Sequence, residues 1–129
     1  MERKPGLVGR ADLIVDESCT ADAWGSGLLP VLSTPRLVGL MEQAACAALA
    51  GAIEAGKTTV GTRIDMQHTA ATPMGMRVYA NAELIAMEGR ALTFHIEAFD
   101  EAGLIGTAEH QRFIVESARF MQKVEAKAK

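Results

Sequence analysis

The chain has 129 residues, 49% of them apolar and 22% charged, the size and balance of one soluble domain, 1–129, with a single core. Its net charge of −3 excludes the general attraction for nucleic acid or an anionic membrane that a basic surface gives. A polyanionic ligand must therefore find a local basic patch; the tail Lys123, Lys127 and Lys129 is one candidate, although its first reading is a solvated terminus.

Met1 to Arg10 carries charges and Gly but no apolar stretch of signal-peptide type. No apolar run approaches the roughly 20 residues that cross a bilayer. Cys19 and Cys46 form no CxxC pair, and two thiols without a secretory segment point to a reducing cytoplasm. Leu7 to Val15 is β-branched enough for a first strand. Glu17 to Ser33 gathers Asp, Ser, Gly and Pro around Trp24 and reads as a loop with a helical turn.

The clearest helix follows. Ser33 or Thr34 caps its start, Pro35 suits its first turn, and Gly56 closes it. Leu37, Leu40, Met41, Ala44, Ala48 and Ala52 recur at spacings of three and four, with Arg36, Gln43 and Glu54 on one polar side. Beyond it the period changes to two. Val60, Thr62, Ile64, Met66 and His68 are expected on one face, and Gly61, Arg63, Asp65 and Gln67 on the other. Thr72-Pro73-Met74-Gly75 is a turn. Met76, Val78, Ala80, Ala82 and Leu84 then mark a core face, as do Leu92, Phe94, Ile96 and Ala98 after Glu88-Gly89-Arg90. Asp100 to Gly103 turns the chain into a last strand, Leu104 to about Val115, and a polar tail finishes. One strand, one long buried helix and four strands joined by short turns predict an α+β fold in which a curved antiparallel sheet wraps around one helix. Its exposed edges favour dimerisation.

Three residues stand out as candidate chemistry. Glu42 lies off the polar side of the helix, one turn from Val38, Gly39, Ala45 and Cys46. A carboxylate framed by small apolar groups is desolvated and made more basic; the alternative is a pair with an Arg or an escape to solvent. His68 ends a strand on the core face, either as a hydrogen-bonded structural residue or facing a cleft. Thr34 reads as an N-cap, at a helix end that also favours developing negative charge. His95 falls on an exposed face, and His110, near Arg112, at solvent or an interface. No GxSxG or HExxH motif occurs, and the histidines show no metal-ligand spacing, so no metal and no cofactor are expected.

Thr34 to Glu42 (TPRLVGLME) and Gln67 to Pro73 (QHTAATP) closely resemble segments of the fluoroacetyl-CoA thioesterase family of hot-dog proteins, and the similarity runs from about Val31 to Phe120. The resemblance implies a homodimer, or a higher homo-oligomer, that cleaves acyl-CoA to a carboxylic acid and CoA. It carries the catalytic Thr, Glu and His onto Thr34, Glu42 and His68, a carbonyl-holding Gly onto Gly61, and an Arg near the site onto Arg112. Glu17 to Ser33 is shorter than the corresponding segment of the family's namesake and lacks its lid phenylalanines. Trp24, Leu28 and Leu29 are the nearest substitutes, and Leu28 and Val31 are assigned to the acyl group. The reaction, hydrolysis of a short acyl-CoA, is therefore expected, and the fluorinated substrate is not carried over with it. A hot-dog hydratase or dehydratase and a non-catalytic acyl-CoA binder remain the alternatives. Geometry adds a constraint, because eight residues along one helix separate Thr34 from Glu42 by roughly 12 Å. Either Thr34 precedes the true helix start, or a dimer completes the site; the dimer is the preferred expectation.

Overall fold

The computed structural model describes residues 4–129. Its elements are β1 (Val8–Ile14), a 3-10 turn (Glu17–Cys19), α1 (Ala21–Trp24), α2 (Thr34–Ala48), β2 (Lys57–His68), β3 (Arg77–Glu88), β4 (Ala91–Asp100), β5 (Gly103–Glu116) and α3 (Ser117–Ala126). The five strands form one sheet in the order β1-β3-β4-β5-β2, and every neighbouring pair is antiparallel. The sheet curls around α2, which is the hot-dog arrangement expected from the element order.

Sequence periodicity accounts for the contact between helix and sheet. Leu37, Leu40, Met41, Ala44, Ala45 and Ala48 form the buried stripe of α2. They meet Val78, Ala80, Ala82 and Leu84 of β3 and Leu92, Phe94, Ile96 and Ala98 of β4, all essentially inaccessible to solvent. Each fully buried Leu, Ile or Phe contributes about 1.5–3 kcal/mol. The many alanines bring helix and sheet close together. At Gly9 an added Cβ would overlap the backbone of α2 at Ala48, so only glycine lets β1 lie against the helix there.

Two expectations change. The helix ends at Ala48 rather than near Gly56, because Gly51 adopts a left-handed backbone (φ 77°) that turns the chain out of the helix. Ala52 is buried in the turn that follows, and Glu54 lies outside the helix, so it shares no helix face with Arg36 and Gln43. Nor is the period of two in β2 continuous. Gly61 pairs with Arg112 and Arg63 with Gln111, so Thr62 is an extra residue, a bulge. Val60 therefore pairs with the outward Phe113, and Gly61 turns inward. After the bulge Ile64, Met66 and His68 occupy the inner face as expected.

Among the described residues no helix is long and apolar enough to cross a membrane. β1 and β2 are the two edges of the sheet.

Candidate active site

Ser33, not Thr34, caps α2: its side chain accepts a hydrogen bond from the Arg36 amide at 3.1 Å. Thr34 is the first residue of the helix, and its hydroxyl is free for another partner. That partner is His68 at the end of β2, with Thr34 Oγ1 2.8 Å from His68 Nδ1. Burial pushes the His68 imidazole below its ordinary pKa, and a backbone contact from Ala70 partly offsets the shift. The ring is thus neutral at neutral pH and can accept the threonine proton. Its other nitrogen, Nε2, is buried with no hydrogen-bond partner.

The segment after His68 is pinned beside the helix start. Leu32 donates its amide to the Thr72 carbonyl at 2.9 Å, and Thr69 donates to the Ile105 carbonyl. Thr72 Oγ1 donates at 2.8 Å to the buried Asp100 carboxylate, whose other oxygen accepts from the amides of Ala102 and Gly103. Thr34 and His68 open into a depression of about 240 Å³, walled by Ala21, Val31, Ala70 and Ala71 among others. Val31 lies on that wall. Leu28 does not, since it projects into solvent at 92% exposure and lies off that wall.

A second group of residues surrounds Gly61. Arg112 is only 7% exposed. Its Nε and one terminal nitrogen donate to the Thr59 hydroxyl and carbonyl, and the other terminal nitrogen lies 3.4 Å from Glu42 Oε2 and 3.2 Å from His110 Nε2. Glu42 is therefore not a carboxylate framed by small apolar groups alone. It pairs with an arginine, and its side chain keeps 42% exposure. Gly61 fits because it has no side chain, since a Cβ would sit 2.7 Å from Glu42 Oε2.

His110 departs from expectation. It is fully buried rather than at solvent or an interface, and it lies beside Phe94. Arginine only donates and a backbone carbonyl only accepts. Nε2 therefore accepts from Arg112, and Nδ1–H donates to the Arg63 carbonyl at 2.7 Å, immediately after the bulge. Desolvation lowers its pKa, and the Arg112 charge acts in the same direction. The available signal was alternation, because His110 and Arg112 share a period of two with the buried Ala108 and Ile114.

His95 is exposed beside Glu97, as expected. Cys19 and Cys46 are free thiols, and among the described residues no group of His, Cys, Asp and Glu converges as metal ligands do. Within one chain, then, Thr34 and His68 form one group, and Glu42, Gly61, His110 and Arg112 form another. Thr34 already belongs to α2, so the possibility that it precedes the helix falls away, and the roughly 12 Å along the helix axis stands.

The model of the fluoroacetyl-CoA-specific thioesterase family matches residues 15–118. A fluoroacetyl-CoA thioesterase from Streptantibioticus cattleyicolor is 41% identical over 97 residues, covering 75% of this chain and 70% of that protein. A crystal structure of the fluoroacetyl-CoA thioesterase FlK superposes with a TM-score of 0.92 at 33% identity, over 98% of each chain. A thioesterase superfamily member from Thermus thermophilus, 25% identical, gives a TM-score of 0.88 over 97% of this chain and 93% of the other. The chain belongs to the fluoroacetyl-CoA-specific thioesterase family and is a thioester hydrolase of the hot-dog fold.

Proposed function

We propose that this chain, as one domain in a cytoplasmic homodimer, hydrolyses short acyl-CoA thioesters at a site built from two copies. Thr34 and His68 come from one copy; Glu42, with Gly61 and Arg112 beside it, comes from the other. The observation that carries this reading is the 2.8 Å contact between a threonine hydroxyl and a neutral imidazole beside a small depression, a pairing suited to nucleophilic attack on an electrophilic carbonyl.

The β2 edge supports the two-copy arrangement. In an antiparallel pair, directly opposed residues point to the same face. Gly61 and His68 are an odd number of residues apart, and in a regular strand they would face opposite ways. The bulge at Thr62 puts both on the inner face. A two-fold axis at Asp65, well inside β2, pairs Ile64 with Met66 and Arg63 with Gln67 and, across the bulge at Thr62, sets Gly61 of one copy against His68 of the next. Glu42 then meets the Thr34–His68 pair without any strain on α2.

His68 accepts the proton as Thr34 Oγ1 attacks the thioester carbon. The tetrahedral centre collapses with loss of the CoA thiolate, and an acyl ester remains on Thr34. Glu42 draws a proton from the water that attacks this ester, and the protonated His68 returns its proton to the departing Thr34 oxygen, which releases the carboxylic acid and restores the hydroxyl. Amides beside Gly61 or at the start of α2 stabilise the oxyanion. The small alanine-walled depression suits a short acyl group; with no phenylalanine between Glu17 and Ser33, selectivity for fluoroacetyl is not part of the reading.

Thiol release from a panel of acyl-CoA substrates tests the reaction. Mixing Glu42→Ala and His68→Ala chains tests the geometry. Each single variant should be inactive, and verified heterodimers should recover about half the wild-type activity, because one of the two sites is whole. Heterodimers that stay as inactive as the parents would overturn the two-copy site.

A further inference from the structure

A basic, aromatic-lined cavity lies outside the site described so far. It occupies about 370 Å³ between α3 and the outer face of β5, and its lining includes Arg90, Arg119, Lys123, Phe113 and Phe120. A smaller depression of about 80 Å³ shares Arg90, Val115 and Glu116 with it and adds Lys57. Four cations thus converge on one face of a chain whose net charge is −3. Two of them are matched: Lys57 pairs with Glu54 at 3.3 Å, and Arg119 reaches Glu116 at 4.0 Å. Arg90 and Lys123 have no carboxylate partner among the described residues. Phe113 and Phe120 keep 39% and 36% exposure beside them, although an outer sheet face and a surface helix do not need aromatic rings. Cations next to exposed aromatic faces bind phosphate and stack a planar base.

We infer that this cavity binds a phosphorylated adenine nucleotide, and specifically the 3′-phosphoadenosine end of the CoA thioester, an assignment that rests on the thioesterase reading. Position supports the second step. Phe113 follows Arg112 in β5 and pairs with Val60, and Lys57 lies four residues from Gly61, about 13 Å along the strand. The pantetheine arm covers such a distance. With the axis at Asp65, the second copy's β2 ends opposite Gly61. Residues 57–60 then keep an open edge, over which the arm passes from the outer face to the thioester site. The inference also gives Lys123 a task that a solvated tail does not have.

The test uses the full chain, adenosine 3′,5′-bisphosphate as probe, and two substrates, acetyl-CoA and the acetyl thioester of N-acetylcysteamine, which has no nucleotide. The probe should bind, should inhibit acetyl-CoA hydrolysis competitively, and should bind more weakly to Arg90→Ala/Lys123→Ala. In that variant the KM for acetyl-CoA should rise, and the advantage of acetyl-CoA over the truncated thioester in kcat/KM should fall by about tenfold or more, as for lost hydrogen bonds to a charged group. If both substrates are hydrolysed and the double variant keeps that advantage, the cavity is not a CoA subsite. Probe that binds in the cavity without competing against acetyl-CoA would assign the pocket to a free nucleotide and overturn the CoA assignment. Failure to hydrolyse either thioester would instead defeat the thioesterase reading.

Discussion

Gly61→Ala separates the demands of folding from those of the site. The added Cβ would stand 2.7 Å from Glu42 Oε2, 3.3 Å from a terminal nitrogen of Arg112 and 3.4 Å from His110 Cε1. Of these three, only Glu42 is free to give way, since its side chain is half-exposed while Arg112 and His110 are held by Thr59 and Arg63. Rotation of one flexible side chain puts the folding cost at the low end of overpacking, about 1 kcal/mol, or roughly 3–5 °C in Tm for a chain of this size. The catalytic cost should be larger. A carboxylate moved by about 1 Å from its working place lowers the rate by about 100-fold, which corresponds to about 2.7 kcal/mol. Gly9→Ala is the control. Its Cβ would overlap the Ala48 nitrogen, helix backbone that cannot rotate away, and it should destabilise by about 3 kcal/mol or more. Thermal unfolding and thiol release from acetyl-CoA read the two effects separately. Gly61→Ala enzyme that turns over at the wild-type rate, or that unfolds as readily as Gly9→Ala, would refute this reasoning.

Other outcomes follow from the buried polar groups. Thr72→Val removes the hydroxyl that binds the buried Asp100 carboxylate and should cost about 1–3 kcal/mol; an unchanged urea midpoint would show that this contact does not hold the loop. His110→Phe leaves the Arg63 carbonyl and one Arg112 nitrogen without their partner, with a similar cost of about 1–3 kcal/mol and a loss of activity through Glu42; full activity in a folded variant would exclude His110 as a positioning residue. His68 and His110 both sit below the ordinary imidazole value of 6.5, so on acidification the unfolded chain takes up protons before the native one. The stability they confer is complete above that value and is lost as pH falls from there to the native-state values. Denaturant midpoints should therefore drop between pH 7.5 and mildly acidic pH, and the acid limb of kcat/KM should lie below 6.5; midpoints that rise on acidification would contradict both shifts.

Local rules made the central strands legible. Val78, Ala80, Ala82 and Leu84, like Leu92, Phe94, Ile96 and Ala98, alternate without interruption because both strands are interior and their irregularities fall beyond Leu84 and Ala98, and all eight residues are buried. The turns at Gly75, Gly89 and Gly103 announced themselves through residues that take positive φ. What escaped was set by tertiary contacts. Gly61 inside the alternating run Val60 to His68 is a local hint of a bulge, but the extra residue is defined only by the register with β5, and missing it put Gly61 on the wrong face. The helix end depended on which of two glycines, Gly51 or Gly56, the chain uses to leave the helix, and both take positive φ. Of the candidate site, Glu42, His68 and Thr34 stood out by their positions in the pattern, and Gly61 and Arg112 came from the family resemblance alone. The sharing of Arg112 between Glu42 and His110 required coordinates, since β5 and α2 are far apart in sequence.

The start of α2 assigns two neighbouring hydroxyls to separate tasks. Ser33 secures the first turn, and Ser33→Ala should loosen the helix by about 0.5–2 kcal/mol. Thr34 spends none of its hydrogen-bonding capacity on the helix end and points its oxygen at an imidazole. The helix start can therefore tolerate exchange of that second residue for serine, valine or alanine, so the residue proposed as nucleophile is open to change at the cost of its contact with His68 alone. Reactivity at this corner is a detachable property of the scaffold.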